Sequence, residues 1–404
     1  MYQAGAPNSD HSKRLRFAAR IRKNWRVLGV VGAVLVVLGA GGVVSSKLVF
    51  LPGPYHRPGA SNSLNNGPTL AGLRSGWTEL PKPPEVRNLS ATVWTSEDLL
   101  VWGGYVYSGF GGEEPLASGV VFRGRPRVWE RMASSPLAAR VLPASVWTGS
   151  EMIVWGGTDP RRTQFFGDGA AYNPTTNSWR VLPRAPIEPR AALSVWSGDE
   201  FIVWGSVARD KRFRDGAAYN PRTDTWRNIQ SVPIDLTDAE AVWTGKEMLV
   251  FGAALHGGNV AESKTALGAA YDPRDDEWRR LPASELSPQA STAAWNGNEL
   301  IAWDYLNSSQ AYDPTEDRWE NKQSVPIDAG ECFPHSVAIR RDIFGAYCGF
   351  MAVYSAQDGA WHKLPRDFVQ WQVEPVAAPP VILLLGRNAE TDDAWMLAYR
   401  APTW

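Results

Sequence analysis

The chain contains two stretches with different hydrophobic patterns. Residues 27–44 form one uninterrupted apolar run, whereas the chain after Trp77 consists of short apolar runs separated by turn-forming residues. A continuous apolar stretch of this length is typical of a membrane-spanning helix. Short apolar runs bounded by Gly, Pro, Asn and Asp predict β-strands. The pattern therefore predicts an N-terminal membrane helix followed by an all-β domain.

The charges around the apolar run predict its orientation. Seven basic residues lie between Lys13 and Arg26, while only Lys47 and Arg57 follow the run closely. The positive-inside rule then makes residues 1–26 a basic cytoplasmic tail, residues 27–51 a single transmembrane helix, and the rest of the chain extracytoplasmic. The predicted location is the cell membrane. The alternative is secretion after cleavage of a signal peptide near Val44, where small residues follow.

Residues 52–76 have the composition of a flexible linker. They are rich in Pro, Gly and Asn and show no periodic apolar pattern. A segment of this kind behaves as a random coil that holds a domain clear of the membrane surface. The sequence thus predicts four parts: the tail, the helix, the linker, and a folded domain over residues 77–404.

The folded domain is built from internal repeats. A Tyr or Phe is followed by Trp seven positions later in six places: Phe122/Trp129, Tyr172/Trp179, Tyr219/Trp226, Tyr271/Trp278, Tyr312/Trp319 and Tyr354/Trp361. The steps between these Trp residues suit a repeat of four short strands with turns. Further Trp residues recur in the first and second strands of the units, which predicts that they pack between neighbouring repeats.

Turn residues recur at fixed places in each unit. The first two strands are separated by Gly-X pairs: Gly149-Ser150, Gly198-Asp199, Gly245-Lys246 and Gly297-Asn298. Such pairs predict tight two-residue hairpins. Asx-Pro pairs such as Asn173-Pro174 predict turns between the third and fourth strands. Paired glycines, Gly103-Gly104 and Gly156-Gly157, end the second strand of the first two units.

This combination resembles the kelch repeat, in which an apolar strand ends in paired glycines and is followed by Tyr and Trp at fixed spacing. The resemblance covers residues 77–404 and implies a β-propeller with one four-stranded blade per repeat, in a membrane-anchored, bacterial-type member of the family. Kelch propellers include galactose-oxidase-like enzymes, mutarotases and many protein-binding modules. The resemblance therefore predicts the fold without naming a chemistry.

The two ends of the repeat region predict the number of blades. After Trp361 the chain supplies three more strand patterns and then ends at Trp404. Residues 77–81 have the pattern of a fourth strand that lacks its preceding three. Joining these fragments makes a seventh blade and removes the exposed sheet edges of an open array. The predicted fold class is all-β, a seven-bladed kelch-type propeller preceded by one transmembrane helix.

Composition excludes several classes of partner and site. Lys plus Arg is 41 and Asp plus Glu is 42, for a formal net charge of −1, which does not favour a nucleic-acid binder. Beyond His11 and His56, the only histidines are His256, in a Gly-rich loop, His335, at the start of a first strand, and His362, beside the outer-strand Trp361. They are not expected to converge on one metal. Nucleophile elbows, phosphate loops and metal-binding helices do not occur in the sequence. We therefore predict no cofactor and no catalytic residue.

The two cysteines, Cys332 and Cys348, flank the predicted hairpin at Arg340-Arg341. In an oxidising compartment a disulfide is the natural interpretation. In a strict antiparallel ladder the two side chains would point to opposite faces of the sheet. Pro334 interrupts that ladder and allows the bridge to close. A disulfide is the prediction, and two free thiols are the alternative.

Three arginines stand out as candidate ligand-binding residues. Arg87, Arg140 and Arg190 each precede a first-strand Trp by six or seven residues, on the face of the propeller that carries the longest loops, those of blades 1–4. They predict a cationic channel mouth that binds an anionic sugar or peptide. The structural alternative is that they form salt bridges between blades.

The leading hypothesis is a non-enzymatic module that binds an unknown protein or glycan outside the cell while the N-terminal helix holds it to the membrane. The alternative is an exported sugar-active enzyme of the mutarotase or sialidase-like kind, with its site at the channel mouth. The feature that would separate them is the convergence of two carboxylates, or of a Tyr/Glu pair, at that mouth.

Overall fold

A computed structural model of the chain describes residues 70, 72–108, 112–205, 207–208, 211–254, 266–287, 291–326, 335–347, 350–364, 373–387 and 393–401. The chain divides into two compact units. One unit, Phe50–Val106 with Glu114–Trp404, holds the propeller. The other comprises Met1–Val49 and Tyr107–Glu113, and only residues 107, 108, 112 and 113 of it are described.

Each blade is a four-stranded antiparallel sheet. Its strands are called first to fourth from the innermost outward, whereas the β labels follow the order of the chain. Blade 1 contains β2 (Ala91–Trp94), β3 (Asp98–Trp102), β6 (Gly119–Arg123) and β7 (Val128–Arg131). Blade 2 contains β8 (Ala144–Trp147), β9 (Met152–Trp155), β10 (Gly169–Asn173) and β11 (Ser178–Val181). Blade 3 contains β12 (Leu193–Trp196), β13 (Phe201–Trp204), β16 (Gly216–Asn220) and β17 (Thr225–Ile229). Blade 4 contains β18 (Leu236–Trp243), β19 (Met248–Ala254), β20 (Ala266–Asp272) and β21 (Glu277–Arg280).

The remaining blades follow the same order. Blade 5 contains β22 (Thr292–Trp295), β23 (Leu300–Trp303), β24 (Ser309–Asp313) and β25 (Arg318–Lys322). Blade 6 contains β26 (His335–Ile339), β27 (Asp342–Tyr347), β28 (Phe350–Ser355) and β29 (Ala360–Lys363). Blade 7 contains β30 (Val373–Ala378), β31 (Val381–Arg387), β32 (Ala394–Arg400) and β1 (Gly76–Leu80). Two further ribbons pair β4 (Tyr105–Ser108) with β5 (Gly112–Pro115) and β14 (Val207–Ala208) with β15 (Lys211–Arg212).

The predicted all-β, seven-bladed propeller is confirmed, and its seventh blade joins both ends of the repeat region. Strand β1 pairs with β32 so that Trp77 faces Tyr399, the register in which Tyr172 faces Trp179 in blade 2. The inner strands contact one another in sequence, and β2 of blade 1 also contacts β30 of blade 7. The ring of blades is therefore closed.

The recurring Trp residues pack between blades, as their repetition predicts. Trp102 of the second strand of blade 1 lies 5.8 Å, between ring centroids, from Trp179 of the fourth strand of blade 2. Trp155 and Trp226 repeat this contact between blades 2 and 3 at 6.0 Å. Because rings this large remove much apolar surface from water, they supply a large share of the packing energy between blades.

The turns have the conformations that their sequences predict. Gly149 lies at φ +99° in the hairpin between β8 and β9, a backbone conformation that side-chain-bearing residues rarely adopt. In the turn after β10, the Asn173 side-chain oxygen accepts hydrogen bonds from the backbone N–H of Thr175 and Thr176, at 2.9 and 3.2 Å. This is the Asx geometry expected before proline.

A repeated ion-pair network ties neighbouring blades together on the side of the first hairpins. Arg180 donates to both carboxylate oxygens of Glu151 in its own blade, at 3.0 and 2.7 Å. Its Nη1 also donates to Tyr219 Oη of blade 3, at 2.9 Å. The same pattern recurs at Arg227 (with Glu200 and Tyr271) and at Arg279 (with Glu247 and Tyr312).

Between blades 1 and 2 the network lacks its arginine, and the aspartate that would face that position is also replaced. Glu130 stands after the fourth-strand Trp of blade 1, where Arg180 stands in blade 2. Asn177 stands five residues after Tyr172, where Asp224 follows Tyr219 in blade 3. A glutamate facing an aspartate would repel it, and the neutral asparagine removes that repulsion.

The N-terminal predictions fall largely outside the described residues. Residues 1–69, which include the predicted tail and transmembrane helix, are not among them, and no helix in the described part of the chain could cross a bilayer. The last residues of the predicted linker 52–76 differ from the expectation. Leu70 and Leu73 are buried in the core between blades 7 and 1, and Arg400 Nη1 donates to the Leu73 carbonyl at 2.7 Å. Their apolar side chains anchor this end of the linker to the propeller.

Candidate functional site

One side of the propeller carries the loops between second and third strands and the connections between blades. We call this side the loop face. In blades 1–3 it comprises residues 103–106, 114–118, 156–168, 205, 207–208 and 211–215, with the connections 81–90, 132–143 and 182–192. The opposite side, with the first hairpins at 148–151, 197–200, 244–247 and 296–299, is called the hairpin face. Antiparallel pairing puts the start of each first strand at the loop face, where the three predicted arginines lie.

Arg140 is anchored within blade 2. Its Nη1 and Nη2 donate to the two carboxylate oxygens of Asp168, at 2.8 and 3.1 Å. Nη1 also reaches the carbonyl of Gly156 at 3.1 Å, and Nε donates to the carbonyl of Ala138 at 2.9 Å. The ring of Phe166 covers the guanidinium at 4.1 Å. The head group is therefore held by acceptors and by a stacked ring.

Arg190 repeats this arrangement in blade 3. Its Nη1 and Nη2 donate to Asp215 at 2.7 and 3.1 Å, and Nε donates to the carbonyl of Glu188 at 2.9 Å. The ring of Phe213 lies 3.6 Å from the guanidinium carbon. Both arginines bridge the end of a second strand and the start of a third strand of one blade. Their ion pairs thus lie within blades, not between blades as the structural alternative supposed.

The acidic partners of these two arginines are far more exposed than the arginines themselves. The side chains of Arg140 and Arg190 are 0% exposed, whereas those of Asp168 and Asp215 are 52% and 43% exposed. Burial opposes ionisation of Asp168, but hydrogen bonds and charge attraction from Arg140 outweigh it and lower the pKa of Asp168. A ligand arriving at this point meets carboxylates first. Contact of Arg140 or Arg190 with an anionic ligand stays a prediction, and it would require these ion pairs to break.

Arg87 departs from the pattern because Ser118 stands where Asp168 and Asp215 stand. Its Nη1 donates to the carbonyls of Gly103, at 3.2 Å, and Ser118, while Nη2 donates to Ser118 Oγ at 2.9 Å. Its carboxylate partner is Glu85, through Oε1 alone. In the described part of the chain, Nε is buried and has no hydrogen-bond partner. Burial lowers the pKa of Arg87, and attraction from Glu85 opposes that shift.

The backbone around the arginines connects successive blades. Gly157 N–H of blade 2 donates to the carbonyl of Arg190 at 2.9 Å, and the Arg190 N–H donates to the carbonyl of Phe166 at 3.1 Å. A Cβ on Gly156, which lies at φ +68°, would stand 2.4 Å from the Arg190 carbonyl. Glycine is therefore required there by both conformation and space. The paired glycines hold the loop face as a rigid frame.

The loop of blade 2 projects from this frame in a fixed conformation. Asp159 accepts hydrogen bonds from the backbone N–H of Thr163 and Gln164, both at 2.6 Å. Burial raises the pKa of Asp159, but these hydrogen bonds dominate and the net shift is downward. The loop exposes Arg161, and the connection to blade 3 exposes Arg184. These exposed guanidinium groups were not singled out by the sequence analysis, because exposure at loop positions is not visible in a repeat pattern.

The inner strands form a second feature that the sequence analysis missed. The register of the blades places seven residues at one level of the channel wall: Ala91, Ala144, Leu193, Glu240, Thr292, His335 and Glu374. The first three are apolar and the last four are polar, so blades 4–7 form a polar arc. In blades 4 and 5 this position lies three residues before the first-strand Trp, a signal that could have been read. Blades 6 and 7 lack that Trp, which hides the position.

Glu240 is directed into the seam between blades 4 and 5. A bulge between Thr237 and Glu240 shifts the register of β18. The carboxyl accepts hydrogen bonds from Thr292 Oγ1 at 2.6 Å and from the Ala293 N–H at 2.7 Å. Burial raises the pKa of Glu240 to about 8, although both hydrogen bonds act in the opposite direction. Glu240 thus joins two inner strands with a carboxyl that is largely protonated at neutral pH.

The remaining candidate groups do not come together where they are described. His335 begins the inner strand of blade 6, and His362 lies on the outer strand of that blade, with Nε2 2.8 Å from Asp358 Oδ2. Across the described ranges, no three His, Cys, Asp or Glu side chains are placed to hold a metal ion. His256, Cys332 and Cys348 lie outside the described residues. The predicted disulfide therefore stays a prediction.

Comparisons with known proteins agree with this architecture. A solved structure titled as a novel fungal alcohol oxidase with catalytic diversity among the AA5 family, in complex with copper, matches with a TM-score of 0.60 at 13% sequence identity. The match covers 81% of this chain and 76% of the oxidase, and at this identity it shows a shared fold alone. A search of curated protein sequences found no match. The family model for the KLHDC2/KLHL20/DRC7 Kelch-repeats domain matches residues 88–295. The chain therefore belongs to the kelch-repeat family.

Proposed function

We propose that this protein is a membrane-anchored recognition module that binds a protein or glycan outside the cell through the loop face of blades 1–4. Kelch propellers commonly act as interaction modules. The observation that carries the proposal is the contrast between the two faces. The loop face combines a frame fixed by buried arginines with projecting loops, and the hairpin face consists of tight turns. Adaptable loops on a rigid scaffold are the usual setting for binding sites.

The membrane part of the proposal rests on the sequence. Seven basic residues precede the apolar run at 27–44, and only Lys47 and Arg57 follow it closely. This asymmetry supports an N-terminus in the cytoplasm and a propeller outside. A cysteine introduced at Ser63 in the linker should react with an impermeant thiol reagent on intact cells, with the unsubstituted chain as background. Reaction only after lysis would reverse the orientation. A mature N-terminus near Lys47 would show a cleaved and secreted protein instead.

The position of the inner glutamates supports recognition over sugar chemistry. Retaining and inverting glycosidases need two carboxyl groups that flank one bond. The two glutamates at the polar level of the channel, Glu240 and Glu374, belong to blades 4 and 7, with two blades between them. Both oxygens of Glu240 already accept hydrogen bonds from blade 5. Glu240 and Glu374 therefore do not form the pair of carboxyl groups that a glycosidase uses.

Binding by matched variants of the full-length chain in lipid nanodiscs tests the proposal. One variant, Arg161→Ala with Arg184→Ala, removes two exposed cations from the loop face. The other, Arg222→Ala with Lys246→Ala, removes two exposed cations from the hairpin face. On arrays of glycans and peptides, any ligand of the native chain should be weakened about tenfold or more by the first change and little by the second. The reverse result, or an array without any ligand, would contradict the proposal.

A further inference from the structure

The three loop-face arginines provide an internal comparison. In blades 2 and 3 a buried guanidinium receives both oxygens of an aspartate that immediately precedes the third strand. In blade 1 that residue is Ser118, whose hydroxyl cannot neutralise charge. The Arg87 side chain is nevertheless only 2% exposed. A buried charge of this kind is costly unless it is paired and fully hydrogen-bonded.

The pairing that Arg87 does have is weaker in form. Glu85 contributes one oxygen, belongs to the connection between blades and not to a strand, and keeps a 36% exposed side chain. Arg140 and Arg190 donate through Nε to the carbonyl two residues earlier, whereas Arg87 Nε has no partner in the described part of the chain. The blade 1 site therefore has one unused donor and a carboxylate partner that can move aside.

We propose that Arg87 and Ser118 form a binding site for a ligand carboxylate, which displaces Glu85. One ligand oxygen would take the place of Glu85 Oε1 at Nη2, and the other would accept from the Nε–H. The Ser118 hydroxyl, 2.9 Å from Nη2, is placed to donate to the same group. A side-on, two-oxygen pair of this kind is the geometry that arginine favours with carboxylates. The inference rests on the proposed function, because it names the ligand chemistry of the loop face.

Two substitutions with opposite expected effects test the site. Ser118→Asp supplies the carboxylate that blades 2 and 3 already have, so it should raise the melting temperature and weaken ligand carboxylates at least tenfold. Glu85→Gln removes the competing carboxylate, so it should strengthen binding several-fold. Ser150→Asp adds the same charge on the hairpin face and should change neither property. Because Glu85 lies in a partly exposed connection, its variant keeps the test decisive even if Ser118→Asp does not fold.

The probes are the N-acetyl, α-methylamide derivative of glutamate for an acidic peptide side chain and glucuronate for an acidic sugar, with the N-acetyl, α-methylamide derivative of glutamine as the neutral control. Binding to the full-length chain in nanodiscs is measured by calorimetry. We expect a carboxylate to bind and the amide not to bind, and the stronger of the two carboxylates identifies the source of the ligand group. Equal binding of carboxylate and amide, no binding by the Glu85→Gln variant, or unchanged binding by a folded Ser118→Asp variant would overturn the inference.

These results separate the inference from the proposed function. If small carboxylates bind at Arg87 but the arrays yield no ligand on the loop face, the site stands and the recognition role fails. If an array ligand depends on Arg161 and Arg184 but no small carboxylate binds, the recognition role stands and the carboxylate site fails.

Discussion

Ser118 occupies in blade 1 the position that Asp168 occupies in blade 2, directly before the third strand. In blade 2 this residue neutralises a buried arginine through two hydrogen bonds, and in blade 1 it offers a hydroxyl and a backbone carbonyl. Because the blades share one fold, comparing this position between blades 1 and 2 shows what the exchange of one side chain does to the neighbouring arginine. The arginines of the loop face thus divide into two structural supports and one incompletely satisfied donor.

The first prediction concerns the structural arginines. Arg140→Ala should destabilise the propeller by about 2 to 4 kcal/mol, because it leaves backbone carbonyls without a donor and removes the partner of Asp168. Thermal unfolding of the full-length chain in nanodiscs measures the effect. The ligand-binding role predicted from the sequence, direct contact of Arg140 with an anionic ligand, would instead give a loss of more than about 1.5 kcal/mol in binding free energy with little change in melting temperature.

The second prediction concerns the network between blades. Tyr219→Phe should destabilise the protein by about 1 kcal/mol more than Tyr172→Phe. The hydroxyl of Tyr219 accepts from Arg180 and donates to Asp224, at 2.9 and 2.5 Å, whereas the hydroxyl of Tyr172 donates to neutral Asn177. Melting temperatures of the two variants make the comparison. Equal losses would show that the charged network contributes nothing beyond a single hydrogen bond.

The structural features behind these two predictions differ in how well they could be predicted from the sequence. The Tyr-to-Trp offset, the Gly-X hairpins and the Asx-Pro turns predicted the blades because each depends on local backbone geometry. The Asp168-Gly169 and Asp215-Gly216 pairs were also readable as repeats, but their pairing with Arg140 and Arg190 required the packing of strands distant in sequence. The position of Glu240, three residues before Trp243, could likewise be read from the repeat, but its hydrogen bonds to Thr292 and Ala293 required the packing of strands from two blades.

The third prediction concerns pH. The pKa of Glu240 is about 8 in the folded chain against an ordinary value of 4.5. A carboxyl whose pKa is raised by folding stabilises the folded state most at low pH, and this contribution is lost as the pH rises from about 4.5 to about 8. The hydrogen bonds from Thr292 and Ala293 act in the opposite direction to burial, which is the largest cause of the shift.

Glu240→Gln should therefore match the native chain near pH 4.5 and exceed it in stability by on the order of 3 kcal/mol near pH 8.5. Melting temperatures of both proteins across this range provide the measurement. Glu200→Gln, which removes a carboxylate from a partly exposed ion pair, is the control. It should lower stability at neutral pH. A constant difference between Glu240→Gln and the native chain across the range would contradict the assignment.

The fourth prediction concerns closure of the ring. Deleting residues 70–80 removes β1 and the buried Leu70 and Leu73, which exposes the edge of β32 and opens the core between blades 7 and 1. The shortened chain should melt at lower temperature and aggregate. Deleting residues 52–66 removes linker alone and should leave melting unchanged. Equal melting of the two shortened chains, followed by light scattering and calorimetry, would show that β1 does not close the blade.

Site-specific photo-crosslinking on intact cells tests the central claim, recognition through the loop face, most directly. A photo-reactive residue is placed in the full-length chain at Arg161 or Arg184 on the loop face, and at Ser150 or Lys246 on the hairpin face. The account predicts crosslinks to an extracytoplasmic partner from the loop-face positions, and their loss when the chain is competed with a ligand found on the arrays. Crosslinks from the hairpin-face positions alone, or crosslinks confined to cytoplasmic proteins, would contradict it.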